Sequence, residues 1–267
     1  MSTTTPPNPY PSPHGKLLHK TAIITGGSMG IGAGIVQKFI AEGAHVLIFD
    51  INGPTALSLA ATLPEGSVKV FEGDVTKEGD WREALRVCLE AFGRCDVVVN
   101  NAGVVHRAVP STQVPQEEYD RIMTTNITPL YHSARTLQPH FASLRPPGGV
   151  FVNISSISAP RPRPNLVWYA GSKGAVSSIT RGLAAEFAPF NIRCNAILPV
   201  VAETGMVASV LGGEDSAEGR ERLRAQIPLG RICTPGDVAG AACFLAGEES
   251  SFITGVELPV DGGRSLM

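Results

Sequence analysis

A doubly wound α/β fold, with a seven-stranded parallel sheet and helices on both faces, is what this sequence predicts. Three observations lead there: seven short apolar runs, helical patterns between them, and a glycine cluster joining the first run to the first helix. The runs are Thr21–Thr25, His45–Phe49, Val68–Glu72, Asp96–Asn100, Val150–Ile154, Arg193–Leu198 and Val256–Val260. The first, TAIIT, is β-branched and apolar, a composition that favours a strand. Helical spacing of apolar residues falls near Ile31–Ala41, Pro54–Ala61, Trp81–Phe92, Glu117–Leu144, Tyr169–Phe187 and Pro235–Ala246. Strands that alternate with helices pair in parallel, and ligands bind such a sheet at the carboxyl ends of its strands. No internal repeat or long linker marks a second domain, so residues 16–267 are expected to form one. Residues 1–15 are polar and proline-rich with no apolar core of a signal peptide, and are expected to be a disordered N-terminal tail.

Composition narrows the function. The chain has 267 residues, 43% hydrophobic and 17% charged, ample for a sizeable core. A net charge of −2 argues against a nucleic-acid or membrane-surface partner. No apolar run reaches the roughly 18 residues that a bilayer span needs. The five cysteines (Cys88, Cys95, Cys194, Cys233, Cys243) lack metal-ligand spacing, and no metal site is expected. Their odd, scattered set suits reduced thiols and a cytoplasmic location.

Two motifs carry chemistry. Gly26-Gly27-Ser28-Met29-Gly30-Ile31-Gly32 lies between a strand and a helix, the context in which a glycine-rich turn binds phosphate. Gly26 permits the tight turn, Gly30 lets backbone approach a pyrophosphate, and Gly32 lets helix pack closely on strand. The helix N-terminus then offers free N–H groups to the anion. The second motif is Ser156, Tyr169 and Lys173, the tyrosine thirteen residues after the serine and the lysine four after the tyrosine. Tyr169 and Lys173 share a helix face. A phenol ordinarily titrates near ~10, and an adjacent ammonium favours the phenolate, which suits proton transfer with an alcohol. Ser156, at the end of a strand, can place its hydroxyl beside the same oxygen.

From Lys16 to Gly263 the chain resembles the classical short-chain dehydrogenase/reductase family. The resemblance rests on Thr25–Gly32 (TGGSMGIG), Asp74-Val75, Asn100–Gly103 (NNAG), Asn126, Ser156, Tyr169–Lys173 (YAGSK), Asn195–Pro199 (NAILP) and Asp261-Gly262-Gly263, all in order. It implies a Rossmann-type domain and an oxidoreductase that interconverts a secondary alcohol and a ketone. In that reading Tyr169 is base or acid, Ser156 polarises the substrate oxygen, and Lys173 lowers the Tyr169 pKa and holds nicotinamide ribose. Asn126 would hold a water linking Lys173 to solvent. Pro129, which cannot bond the Thr125 carbonyl, either helps seat that water or merely bends the helix. Ser155 and Asn100 are read as structural. The family also implies a homotetramer that pairs the two long helices between subunits.

The cofactor implied is NAD(H), with NADP(H) possible. Asp50 ends the second strand, where a carboxylate accepts ribose hydroxyls and repels a 2′-phosphate. Met29 and Ile51 supply no cation where NADP-using relatives often have one. Cofactor contacts are expected from Gly26, Ser28, Met29, Gly30, Ile31, Asp50, Ile51, Asp74, Val75, Asn101, Ala102, Gly103, Tyr169, Lys173, Val201 and Thr204. Val200 replaces the glycine that relatives usually have after Pro199, so the path there is expected to differ. A substrate lid is expected over about 204–228. Arg161 and Arg163, in the stiff APRPRP segment, would attract an acidic substrate or simply solvate a loop; Trp168 would stack on a ring or pack. Two other readings stay open: an NADPH-dependent biosynthetic ketoreductase, and a non-redox, cofactor-sensing protein of the same fold.

Overall fold

The computed structural model describes residues 15–267. Apart from Gly15, the expected N-terminal tail lies outside the described residues.

Seven strands form one all-parallel sheet: β1 (Thr21–Thr25), β2 (His45–Asp50), β3 (Val68–Glu72), β4 (Val97–Asn100), β5 (Gly149–Ile154), β6 (Ile192–Pro199) and β7 (Glu257–Val260). Their order across the sheet is β3-β2-β1-β4-β5-β6-β7. The order reverses between β1 and β4, which opens a crevice at the carboxyl ends of those two strands. The helices are α1 (Gly30–Ala41), α2 (Gly53–Ala60), α3 (Glu78–Phe92), α4 (Gln116–Ser143), α5 (Val167–Phe187), α6 (Val207–Val210), α7 (Ala217–Arg224) and α8 (Pro235–Ala246). Every expected strand and helix is present, with ends displaced by one to three residues where they differ.

Burial explains why the runs are continuous rather than alternating. Successive strand residues point to opposite faces, and both faces are covered. Ala22, Ile24, Val46, Ile48, Val97 and Val99 pack with α1 and α8; Ile23, Leu47, Phe49, Val98 and Phe151 pack with α3, α4 and α5. At about 25 cal/mol per Å², each such buried branched or aromatic side chain contributes roughly 1.5–3 kcal/mol.

A polar seam crosses this apolar interior. The Asn100 side-chain amide donates to Ser133 Oγ (3.1 Å) on α4 and to Asn153 Oδ1 (2.8 Å) on β5. Asn153 Nδ2 donates to Thr180 Oγ1 on α5 (2.9 Å). All four side chains are buried, so the structural reading of Asn100 holds. Pro129 lies inside α4, which continues through it.

Candidate active site

The glycine turn is shaped by its backbone. Gly26 and Gly30 have φ of 61° and 55°, the left-handed region where a side chain is strained. A Cβ on Gly32 would come within 1.9 Å of the Gly26 carbonyl oxygen, so only glycine lets α1 start this close to β1. Helix α1 has no side-chain N-cap and no acidic residue in its first turn, which leaves its N–H groups open to an anion. The buried Ser28 hydroxyl has no partner among the described residues. These features suit a dinucleotide pyrophosphate.

Neighbouring strand ends complete the wall. Asp50 is 7% exposed and accepts from the backbone N–H of Ser28 and of Asn52, both at 2.9 Å. It is therefore a fixed carboxylate rather than a solvated turn residue, and it retains lone pairs for ribose hydroxyls. Met29 and Ile51 beside it are 58% and 71% exposed. Asp74 Oδ1 accepts from the Thr76 N–H and hydroxyl, and Val75 is anchored through its carbonyl by Trp81 Nε1 (2.8 Å). Thr25 Oγ1 accepts the N–H groups of Asn101 and Ala102 at 3.0 Å, which ties the ends of β1 and β4. That role went unread in the sequence, although a threonine just before the glycines was the available signal.

Just past β5, the Ser156 hydroxyl accepts from the Ser158 N–H (3.1 Å) and lines the same cavity as the Tyr169 phenol. Ser155 turns the other way, to the Lys173 carbonyl and the Ser177 hydroxyl, both at 2.9 Å, in keeping with a structural role. One turn along α5, Lys173 is buried, with Nζ donating to the Ile154 carbonyl (2.8 Å) and lying 6.0 Å from the Tyr169 ring centre. Burial pushes its ammonium down to about 8.

One expectation needs correction here: the phenol's pKa is not lowered. Burial pushes Tyr169 above its ordinary value, and the neighbouring Ser156 hydroxyl offsets only part of this. The Asn126 Oδ1 accepts from Val104 N–H (2.8 Å), and its Nδ2 donates to the Val104 carbonyl and Ser172 Oγ, both at 2.9 Å, so its side chain clamps the segment that follows Gly103.

Seventeen of the eighteen expected residues, all but Asn126, line one cavity of about 1260 Å³. Asn126 stands behind Gly103, where an added Cβ would meet Asn126 Oδ1 at 3.2 Å and Lys173 Nζ at 3.3 Å. Thr204 closes the opposite side, 3.1 Å from where a Gly30 Cβ would stand. The Val200 N–H donates to the Val260 carbonyl (3.2 Å), so the chain leaves β6 beside β7. The lid region holds α6 and α7. Trp168 is a packing residue, donating to the Ser111 carbonyl (3.0 Å) and meeting Tyr119 edge-on at 5.3 Å. Arg264 and Met267, which follow the Asp261-Gly262-Gly263 motif, also line the cavity. All five cysteines are free and buried. Among the described residues no cluster of His, Cys, Asp or Glu could hold a metal, and no helix is long and apolar enough to cross a membrane.

Comparison with known proteins places this geometry. The family described as enoyl-(acyl carrier protein) reductase matches residues 26–265. The 4-formylbenzenesulfonate dehydrogenase of Comamonas testosteroni is 43% identical over 92% of this chain and 98% of its own. The 2-(R)-hydroxypropyl-CoM dehydrogenase of Xanthobacter autotrophicus is 35% identical over 94% and 100%. Among solved structures, the 3-ketoacyl-(acyl-carrier-protein) reductase of Brucella melitensis, complexed with NADH, superposes with a TM-score of 0.88 at 39% identity, over 93% of this chain and 99% of that one. With its seven-stranded Rossmann-type sheet and this span of likeness, the chain belongs to the short-chain dehydrogenase/reductase family, oxidoreductases that act on CH–OH groups.

Proposed function

We propose that the protein is an NAD(H)-dependent oxidoreductase interconverting a secondary alcohol and a ketone, with Ser156, Tyr169 and Lys173 as its catalytic residues. The observation that carries this reading is that these three side chains share one cavity with the glycine turn and Asp50. When bound, the nicotinamide supplies or accepts the hydride. Ser156 donates a hydrogen bond to the substrate oxygen and Tyr169 exchanges the proton with it. A phenol held protonated by burial is the form that donates to a carbonyl oxygen in the reducing direction. Lys173, charged below a pKa of about 8, lies beside the ring to stabilise the phenolate left behind and to bind ribose hydroxyls. Asn126 keeps the segment after Gly103 fixed beside Lys173.

The preference for NAD(H) is supported by Asp50, whose buried carboxylate repels a 2′-phosphate, and by the absence of a cation at Met29 and Ile51. An NADPH-dependent ketoreductase is the second reading, favoured by likeness to 3-oxoacyl-carrier reductases. A panel of secondary alcohols and ketones, followed by nicotinamide absorbance, separates the two. Turnover with NADH at least about tenfold above NADPH in kcat/KM is expected, and the reverse preference moves the protein to the second reading. We further infer a homotetramer built on α4 and α5, where Tyr131 is exposed on α4; light scattering on the purified protein reads the mass.

A further inference from the structure

Three guanidinium groups converge on the cavity from segments far apart in the chain. Arg161 and Arg163 belong to the loop between Ser156 and Tyr169, and Arg264 belongs to the turn after β7. Each is held by a neutral acceptor. Arg161 Nη1 donates to the Ser265 carbonyl, Arg163 Nη2 to the Val210 carbonyl (2.6 Å), and Arg264 Nη2 to Gln226 Oε1 (3.0 Å). None of the ion pairs among the described residues includes any of the three. Burial and the neighbouring Arg264 both push the Arg163 guanidinium down, so positive charge is concentrated here at a cost to the protein alone. Arg161 is exposed at the rim, whereas Arg163 and Arg264 are only partly exposed and so do more than solvate a loop. The acidic side chains that line the same cavity, Asp50, Asp74, Glu117 and Asp120, pair with none of the three.

We propose that this cluster is the subsite for an anionic substituent of the substrate, a carboxylate or sulfonate carried by the molecule whose carbonyl or hydroxyl meets Ser156 and Tyr169. The inference deepens the proposed oxidoreductase reading and rests on it for the position of the reacting group. A guanidinium fork matches a planar or tetrahedral oxyanion through two parallel N–H···O bonds, and an apolar pocket strengthens both. Because Arg163 and Arg264 also hold Val210 and Gln226 of the lid, an anion seated between them would be covered by the lid.

Binding of the ketone 4-acetylbenzoate and of neutral 4-acetylbenzamide to the full-length protein, with NAD+ present so that no reduction occurs, is measured by calorimetry, and turnover of each with NADH is followed alongside. The anion is expected to bind about tenfold or more tightly, and high salt is expected to erode that ratio. Arg161→Gln and Arg264→Gln should each lower the ratio severalfold, whereas Arg163→Lys, which keeps the charge but loses the fork, should lower it less than Arg163→Gln. Equal affinity for the two probes, no binding of either, or a ratio that survives Arg264→Gln and Arg161→Gln together, overturns the proposal. Anion-selective binding without turnover would leave this subsite standing and remove the oxidoreductase reading instead.

Discussion

The glycine-loop end of the cavity is walled by backbone, whereas the lid end is walled by long side chains on loops. At the first, Gly26, Gly30 and Gly32 bring main chain to main chain, and Asp50 is locked by two backbone N–H groups. At the second, Arg161, Arg163 and Arg264 reach across to carbonyls and an amide of other segments. The first end tolerates almost no change in residue type, because its geometry has no side-chain freedom to absorb one. The second can exchange residues without disturbing the sheet. A common chemistry with variable substrates follows from this division of labour.

Breaking the chemical link between the two ends should give the largest effect. Tyr169→Phe is expected to lower kcat by about 10³-fold, with the NADH dissociation constant, read by fluorescence titration, within about twofold of wild type. Retained turnover would put proton transfer elsewhere. At the rigid end, Gly32→Ala should cost about 3 kcal/mol in denaturant unfolding, since its Cβ would meet the Gly26 carbonyl at 1.9 Å and neither backbone can yield. An equivalent alanine at Gly79, which has open space around it, should cost little, and equal losses at both sites would dissolve the contrast.

Lys173 joins the two ends, and its effect is legible in pH. Its pKa falls from 10.5 to about 8 on burial, so the unfolded chain binds the extra proton between those values. Below pH 8 the burial penalty is fully present, and it disappears as pH rises through 10.5. Relative to Lys173→Met, wild type should therefore gain up to about 3 kcal/mol of stability between pH 8 and 10.5. A flat difference would mean that the ammonium is solvated. The smallest effect expected is at Asp50→Ala, which removes the acceptor for two N–H groups and the repulsion of a 2′-phosphate. NADH affinity should fall about tenfold and NADPH affinity should rise.

Much of this was written locally in the chain. The strands were legible because a sheet covered on both faces demands unbroken apolar runs, and TGGSMGIG was legible because backbone geometry fixes glycines at set spacings. Ser156, Tyr169 and Lys173 could be grouped from the sequence because one strand end and one helix turn hold them. What escaped depends on packing between distant segments. Arg264 and Met267 reach the cavity because β7 ends beside β6, and the preceding Asp261-Gly262-Gly263 does not say where the chain goes next. The sign of the Tyr169 shift escaped for a similar reason: charge spacing along a helix says nothing about how deeply its neighbours bury the phenol. Asn126 was correctly placed near Lys173, but the partner of its amide, Val104, is set by the loop after β4.

The chain of amides and hydroxyls from Ser133 through Asn100 and Asn153 to Thr180 has a consequence for precision. Greasy surfaces alone let a helix glide along a sheet by fractions of an ångström at little cost. Directional bonds do not, since a small slip stretches them all at once. Helix α5 is thus indexed against β4 and β5 like a key in a keyway, and the tyrosine it carries inherits that alignment. Enlarging or trimming an apolar residue nearby should soften the protein before it moves the hydroxyl.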